Sequence, residues 1–331
     1  MNKSKLLVLQ GKRNFDVKTY VESKEVGEHF DVFKEQKIMG NPDLIYCQSY
    51  GPFGDDLINT PIPYLIHLGG NPWLEFAGKR LKKTEKLLLS AAHVACVSNF
   101  LAGEVSKGLK GRGSVLGLPG GLWGMSHTPL GPSITRFNKK RDYNLHKPVN
   151  IVMSFSLART LLSVKWMGIE IFLKAAKELI KKWNIKITCP AKGRGDFEKL
   201  GEWAEYGFEF IQSHHLDGNP DRWPEYLEQA DLFLHPSTFD CWPRVVAEAM
   251  MVGVPTLVFD VTGNGEVGKT TYKVKPENVG QMVEKIDCLL SDERERRLMG
   301  IAHRYEAESN NEKHKGDYAR LLLNVLERSK K

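Results

Sequence analysis

Short apolar runs bounded by polar turns recur along the chain. In the first half they fall at 5–9, 43–47, 63–67 and 93–98, each with the length and the β-branched or aromatic content of a buried strand. Between the last two, residues 74–92 place apolar side chains at helical spacing, so the order is strand, helix, strand, the βαβ pattern of a parallel sheet. Around 131–147 the periodicity stops. Pro129, Pro132 and Pro148 and the basic run at 138–142 mark this stretch as an interdomain linker. A second series then begins, with strands at 149–155, 185–189, 208–212, 232–235 and 256–259. Helices alternate with them at 168–183, 196–206, 223–229, 244–252 and 279–291. That alternation predicts a doubly wound α/β domain. The segment 303–331 reads as helical and charged. The pattern therefore predicts an α/β protein of two Rossmann-like, doubly wound parallel-sheet domains, 1–140 and 148–305, followed by a helix over 306–331.

Composition narrows the class. The chain has 331 residues, 41% of them hydrophobic and 26% charged, which excludes disorder, collagen-like repeats and coiled coil. No stretch approaches the ~20 apolar residues that a spanning helix needs. The apolar run near the amino terminus is too short for a signal peptide and reads as a first strand. Cys47, Cys96, Cys189, Cys241 and Cys288 are scattered without a CxxC pair, which argues against disulfides and zinc and predicts a cytoplasmic protein. The net charge of +7 suits nucleic acid, an anionic membrane surface or phosphate-bearing substrates, and suits a plain soluble protein equally. Lys79, Arg80, Lys82, Lys83 and Lys86 cluster on one predicted helix. They form either a solvated face or a surface for peripheral contact with an anionic membrane.

The chemistry concentrates in 230–266. An apolar strand at 232–234 leads into the polar loop 236–240, and Pro243 then stands where proline is tolerated in a first helical turn. The loop thus lies at the carboxyl end of a parallel strand, where such folds bind ligands, and the helix N-terminus beside it suits a phosphate. Asp240 sits in the loop and Glu248 in the helix, eight residues apart, able to reach different parts of one extended ligand. The alternative is structural, with Asp240 as the N-cap and Glu248 a solvated helix residue. Other motif classes are missing. His214, His215 and Asp217 lack metal-ligand spacing, and there is no Walker-type loop, no GxGxxG after a strand and no Gly-x-Ser-x-Gly elbow.

This segment resembles glycosyltransferase family 4, the glycosyl transferases group 1, which are retaining GT-B enzymes using nucleotide sugars. The family signature is an acid, seven residues, then a glutamate, with Pro-Ser before it and Ala-Met and Gly-x-Pro after. Here it stands as Pro236-Ser237, Asp240-x7-Glu248, Ala249-Met250 and Gly253-Val-Pro255. Gly263-Asn-Gly-Glu266 is similar to the family's small-residue loop ending in an acid, and weaker similarity extends to 149–178 and 93–100. Two features depart from the family. Asp240 replaces the usual glutamate, and Cys241-Trp242-Pro243-Arg244 replaces a Gly-aromatic-Gly turn. Proline has no N–H, so one backbone donor is lost there, and Arg244 offers a charged donor instead.

The resemblance implies a GT-B fold, with two domains facing across a cleft and the last helix packing back on the first domain. It implies transfer of a hexose, with retention and without metal or cofactor, from a UDP-, GDP- or ADP-linked sugar. The acceptor hydroxyl belongs to a glycan, a glycolipid or a small molecule, and nucleic acid is not a partner. Glu248 would hold the nucleotide ribose, with Glu266 a second candidate for ribose or sugar, and Asp240 the donor-sugar hydroxyls. Arg159 and Lys165 would hold the diphosphate, and Cys241, Trp242 and Arg244 would line the donor loop. Lys192 and Arg194 either frame the base or are solvated. In the first domain, His67 matches a histidine that faces the sugar, with Gly69 as the alternative register. Gly11 stands where the family has a glycine turn near the donor phosphate, and Trp73 and Glu75 are further cleft candidates. Two alternatives differ in class, a non-catalytic binding protein on a decayed GT-B scaffold and a sugar-nucleotide epimerase.

Overall fold

Runs such as Leu6-Leu-Val-Leu9 and Leu44-Ile-Tyr-Cys47 lack polar alternation, as befits strands covered on both faces. In the computed structural model they form such strands. The structure describes residues 3–9, 24–47, 53–69, 79–117, 142–153, 168–191, 208–212 and 226–331. The chain divides into two units, one of Met1–His127 with Ser309–Lys331 and the other of Thr128–Glu308.

In the first unit the elements are β1 (Ser4–Leu9), α1 (Lys24–Gly27), β2 (Phe30–Glu35), β3 (Leu44–Cys47), α2 (Gly54–Asn59), β4 (Tyr64–Leu68), α3 (Lys79–Ser90), β5 (His93–Cys96), α4 (Asn99–Gly108) and β6 (Val115–Gly117). All strand pairs are parallel, in the order β2-β1-β3-β4-β5-β6. Two edge strands escape the sequence pattern. β2 buries only Phe30 fully, and β6 is three residues long. The expected strand 93–98 ends at Cys96, because Ser98 caps α4, its Oγ accepting the Leu101 N–H at 3.1 Å. On α3 the residues Lys79, Arg80, Lys82, Lys83 and Lys86 are all exposed, and Lys83 pairs with Asp55 at 2.6 Å.

The second unit holds β7 (Val149–Met153), α5 (Ile169–Leu179), β8 (Ile185–Ala191), β9 (Phe208–Gln212), β10 (Leu232–His235), α6 (Arg244–Val252), β11 (Thr256–Phe259), a 3-10 turn (Thr262–Glu266), β12 (Tyr272–Val274) and α7 (Val279–Ser291). Its sheet is parallel, in the order β12-β11-β10-β7-β8-β9. Phe172, Ala175, Ala176 and Leu179 of α5 and Met282, Ile286 and Leu289 of α7 repeat every three or four residues and pack into one core with the strands. α6 is buried throughout Val246–Val252 and ends at Gly253, whose φ of +76° forms a left-handed cap returning its N–H to Ala249 and Met250. Of the expected linker, Tyr143 and Leu145 anchor the described part to the second unit's core. Tyr143 is buried and its carbonyl takes two bonds from the buried Arg296 guanidinium, at 2.9 and 3.1 Å. The expected helix at 196–206 and the start of the one at 223–229 lie outside the described residues.

The closing helix α8 (Glu293–Ser329) is one 37-residue element, ten residues longer at its start than the sequence pattern suggested. Its residues through Glu308 count with the second unit and those from Ser309 with the first. In the first unit, Tyr318, Leu322, Val325 and Leu326 share a core with Leu6, Val8, Leu44, Tyr46, Leu65 and Ala95, alternate positions along four neighbouring strands. Among the described residues no helix is long and apolar enough to cross a membrane, and no cluster of three metal-ligating side chains occurs.

Candidate active site

In the second sheet the chain runs outward from β7 through β8 to β9, then returns to the other side of β7 with β10, β11 and β12. The direction therefore reverses between β7 and β10, whose Met153 and Leu234 are register partners. Loops leaving the carboxyl ends of two such strands part in opposite directions, and the crevice between them is where open α/β sheets bind ligands. The β10 loop, 236–243, carries Asp240. The segment after β7, 154–167, carries Arg159 and Lys165, which lie outside the described residues.

Two helix N-termini stand here without side-chain caps. α5 begins after Gly168, in the left-handed region at φ +59°, and a Cβ there would meet Pro236 O at 1.8 Å. Glycine alone lets α5 start against the β10 loop. α6 begins after Pro243. First-turn amides without a cap leave donors and a partial positive charge, an arrangement suited to an anion.

The β10 loop is fixed by polar bonds to the 3-10 turn. Asp240 N donates to Thr262 Oγ1 at 3.2 Å, Gly263 N donates to Asp240 O at 2.9 Å, and Asn264 Nδ2 donates to Ser237 O at 2.6 Å. Within the loop, Ser237 Oγ bridges to Phe239, donating to its carbonyl at 2.8 Å and accepting its N–H at 3.3 Å. The approach is close, because a Cβ on Gly263 would lie 1.9 Å from Cys241 O.

Asp240 is not the helix cap. Pro243 holds that place, so the proline stands one residue outside the helix rather than in its first turn. The Asp240 carboxylate instead accepts the Trp242 N–H on Oδ1 at 2.9 Å, while Oδ2 lies 3.6 Å from His235 Nε2. Glu248 is 3% exposed, which rules out the reading as a solvated helix residue. A carboxylate so enclosed is kept only where something compensates its charge. Cys241 and Trp242 are buried, while Arg244 and Glu266 are half-buried, Glu266 closing the 3-10 turn.

In the first unit His67 is buried in β4 and bonded to Tyr46, Oη to Nδ1 at 2.8 Å. Burial pushes the Tyr46 phenol far above its ordinary range, so the hydroxyl keeps its proton in this bond. The Tyr46 ring also meets Tyr318 edge-on, at 5.8 Å between centroids. Gly69 is described, at the end of β4, but Gly11, Trp73 and Glu75 lie outside the described residues, as do Lys192, Arg194, His214, His215 and Asp217. Sequence reasoning missed His235, Thr262, Asn264 and Gly168. His235 was legible as the residue closing the strand before Pro-Ser. The other three owe their places to contacts between segments distant in sequence.

Residues 160–305 match the family model described as Glycosyl transferases group 1. A sequence search of curated proteins returns no match. Among solved structures, a sucrose-phosphate synthase from Thermosynechococcus elongatus superposes with a TM-score of 0.69 at 14% identity, covering 98% of this chain and 100% of that one. HepE of Anabaena, in complex with UDP and glucose, gives 0.61 at 15% identity over 97% and 99%. A UDP-forming trehalose-phosphate synthase from Burkholderia xenovorans gives 0.64 at 14% identity over 88% and 75%. The chain thus matches the glycosyl transferases group 1 model over residues 160–305, somewhat under half of its length, and its likeness to these solved structures shows the GT-B fold.

Proposed function

We propose that the chain moves a hexose from a nucleoside-diphosphate sugar to an acceptor hydroxyl with retention at the anomeric carbon and without a metal ion. The observation that carries this reading is the meeting of the Asp240 loop with two uncapped helix N-termini at the strand-order reversal between β7 and β10. A diphosphate needs positive potential without covalent chemistry, and backbone amides at helix starts supply it. HepE of Anabaena is described in complex with UDP-glucose, which supports a donor of that kind.

In this reading Asp240 receives hydroxyls of the donor sugar, Glu248 the ribose, and Glu266 is the second acid near ribose or sugar. Arg159 and Lys165, carried by the segment that joins β7 to α5, neutralise the diphosphate as its bond to C1 breaks, and Arg244 adds a charged donor beside Pro243. The acceptor oxygen forms the new bond to C1, and its proton passes to the departing phosphate oxygen. Fixed cations and dipoles stabilise the charge gathering on that leaving group. The family resemblance assigns Gly11 to the phosphate and His67 to the sugar in this reading. The base, whether uracil, guanine or adenine, and the acceptor, whether glycan, glycolipid or small molecule, are read from ligand panels. We place the protein in the cytoplasm, with the exposed basic face of α3 as its surface for anionic membrane.

The test is thermal unfolding with UDP, GDP, ADP and their sugars in the presence of EDTA. A ligand at a hundredfold over its Kd adds about 2.7 kcal/mol. One base is expected to raise Tm, and Arg159→Ala or Glu248→Ala to abolish the shift. Asp240→Ala is expected to keep the fold and lose sugar transfer. A flat response to every nucleotide would overturn the reading and favour the non-catalytic scaffold.

A further inference from the structure

His235 closes β10 with its side chain only 7% exposed, yet among the described residues neither ring nitrogen has a hydrogen-bond partner. A buried polar group left unmatched costs about 1–3 kcal/mol, so its presence asks for a reason. Its Nε2 faces Asp240 Oδ2 at 3.6 Å, within ion-pair range but longer than the roughly 2.7–2.9 Å of a charge-assisted hydrogen bond. Asp240 is pinned on every other side. Its N–H is held by Thr262, its carbonyl by Gly263 and its Oδ1 by the Trp242 N–H. Oδ2 is the oxygen left to a ligand, on a side chain that is 33% exposed. The imidazole nitrogens themselves are sealed from solvent, so the ring acts through the carboxylate rather than on the sugar.

We propose that His235 is a positioning residue for Asp240. Its Nε2–H aims Oδ2 at a donor-sugar hydroxyl, and the 3.6 Å gap closes to a hydrogen bond when the sugar is bound. The inference rests on the donor-site reading of Asp240. It deepens that reading by placing the discrimination between sugar nucleotide and bare nucleotide on a buried histidine behind the acid. A reacting group misplaced by about 1 Å can cost about 100-fold in rate, which bounds the effect.

The experiment measures two things for wild type, His235→Phe, His235→Gln and His235→Asn. The first is the affinity for UDP, GDP and ADP and for their glucose conjugates. The second is the release of nucleoside diphosphate from those conjugates to water, which needs no acceptor. His235→Phe fills the volume without a donor. It is expected to weaken the glucose conjugate about tenfold and slow its turnover about 10–100-fold. The bare diphosphate should still bind within about twofold of wild type, and His235→Gln, whose amide can reach the Nε2 position, should recover most of the loss. If His235→Phe does not fold, the contrast between Gln, which reaches, and Asn, which is too short, decides the same question. In an Asp240→Ala background, His235→Phe is expected to leave the affinity for the conjugate unchanged. Equal losses for diphosphate and conjugate, or losses that multiply in the double variant, would overturn the positioning role while leaving the donor site standing. A wild type that binds none of the nucleotides overturns the donor-site reading and this inference with it.

Discussion

Two glycines four and six residues past the end of β11 look alike in sequence and should behave differently when changed to alanine. A Cβ on Gly263 would sit 1.9 Å from the carbonyl oxygen of Cys241, 2.3 Å from its carbon and 2.8 Å from Asp240 O, all backbone atoms that cannot swing away. One on Gly265 would meet chiefly Asp260 Oδ1 at 2.9 Å, the end of an exposed side chain free to rotate. Gly263→Ala must therefore push the 3-10 turn off the β10 loop. Overpacking of this kind costs about 1–3 kcal/mol, and stretching the bond from Gly263 N to Asp240 O adds about 1 kcal/mol more. For a unit of this size about 1 kcal/mol moves Tm by about 2–4 °C, so a loss near 3 kcal/mol lowers it by roughly 6–12 °C. Gly265→Ala is expected within about 1 kcal/mol of wild type, since alanine also lowers the entropy of the unfolded chain. Calorimetry on both variants and wild type reads the difference, and sugar-nucleotide turnover at a temperature where both are folded reads its effect on Asp240. Equal Tm values for the two variants would refute the claim that the turn is held against the loop by the close approach at Gly263.

Three further outcomes test other parts of the structure. Arg296→Met removes the guanidinium that binds the carbonyls of Leu289, Leu290 and Tyr143. With those carbonyls left at about 1–3 kcal/mol each, urea unfolding should show a loss above about 3 kcal/mol, and a loss below about 1 kcal/mol would show that water replaces the bonds. Burial holds the His303 imidazole below its usual pKa, and His93 is lowered for the same main reason. Their unfolded forms therefore take up protons first. The stability from keeping them neutral is complete above about pH 6.5 and is lost as pH falls toward their folded values, so His303→Leu should flatten the decline measured between pH 7.5 and 5.5. His67→Phe removes the Nδ1 that is hydrogen-bonded to the buried Tyr46 hydroxyl and should lower Tm by a few degrees, for about 1 kcal/mol, while leaving nucleoside-diphosphate affinity intact. An unchanged Tm would mean that the Tyr46 bond to His67 contributes nothing to stability.

What could be read from the sequence, and what could not, divides along a physical line. Central strands of a parallel sheet are covered on both faces, so β1, β3, β4, β5, β7, β8, β10 and β11 announce themselves as short, mainly apolar runs. β2 and β6 lie at sheet edges, where one side needs no burial, and Phe30-Asp-Val-Phe-Lys-Glu35 carries as many charges as apolar residues. The start of α8 was missed because 293–302 is rich in arginine and glutamate, and its inward side is Arg296 with Met299 and Gly300 rather than a continuous apolar stripe. At the site the position of the loop was legible, since a strand followed by Pro-Ser and a helix is a local pattern. The state of its acids was not. That Asp240 turns back on Trp242 instead of capping α6 depends on Pro243 taking the cap. That Gly168 and Gly263 are glycines depends on carbonyls 68 and 22 residues away, at Pro236 and Cys241. A glycine conserves space for something, and only the fold says for what. Here both spaces are filled by the backbone of one loop, 236–241, so the Asp240 loop is clamped from the α5 side and from the 3-10 side at once. Such a clamp leaves Asp240 little freedom except at Oδ2, and it is there that a single buried imidazole can decide how the carboxylate meets its ligand.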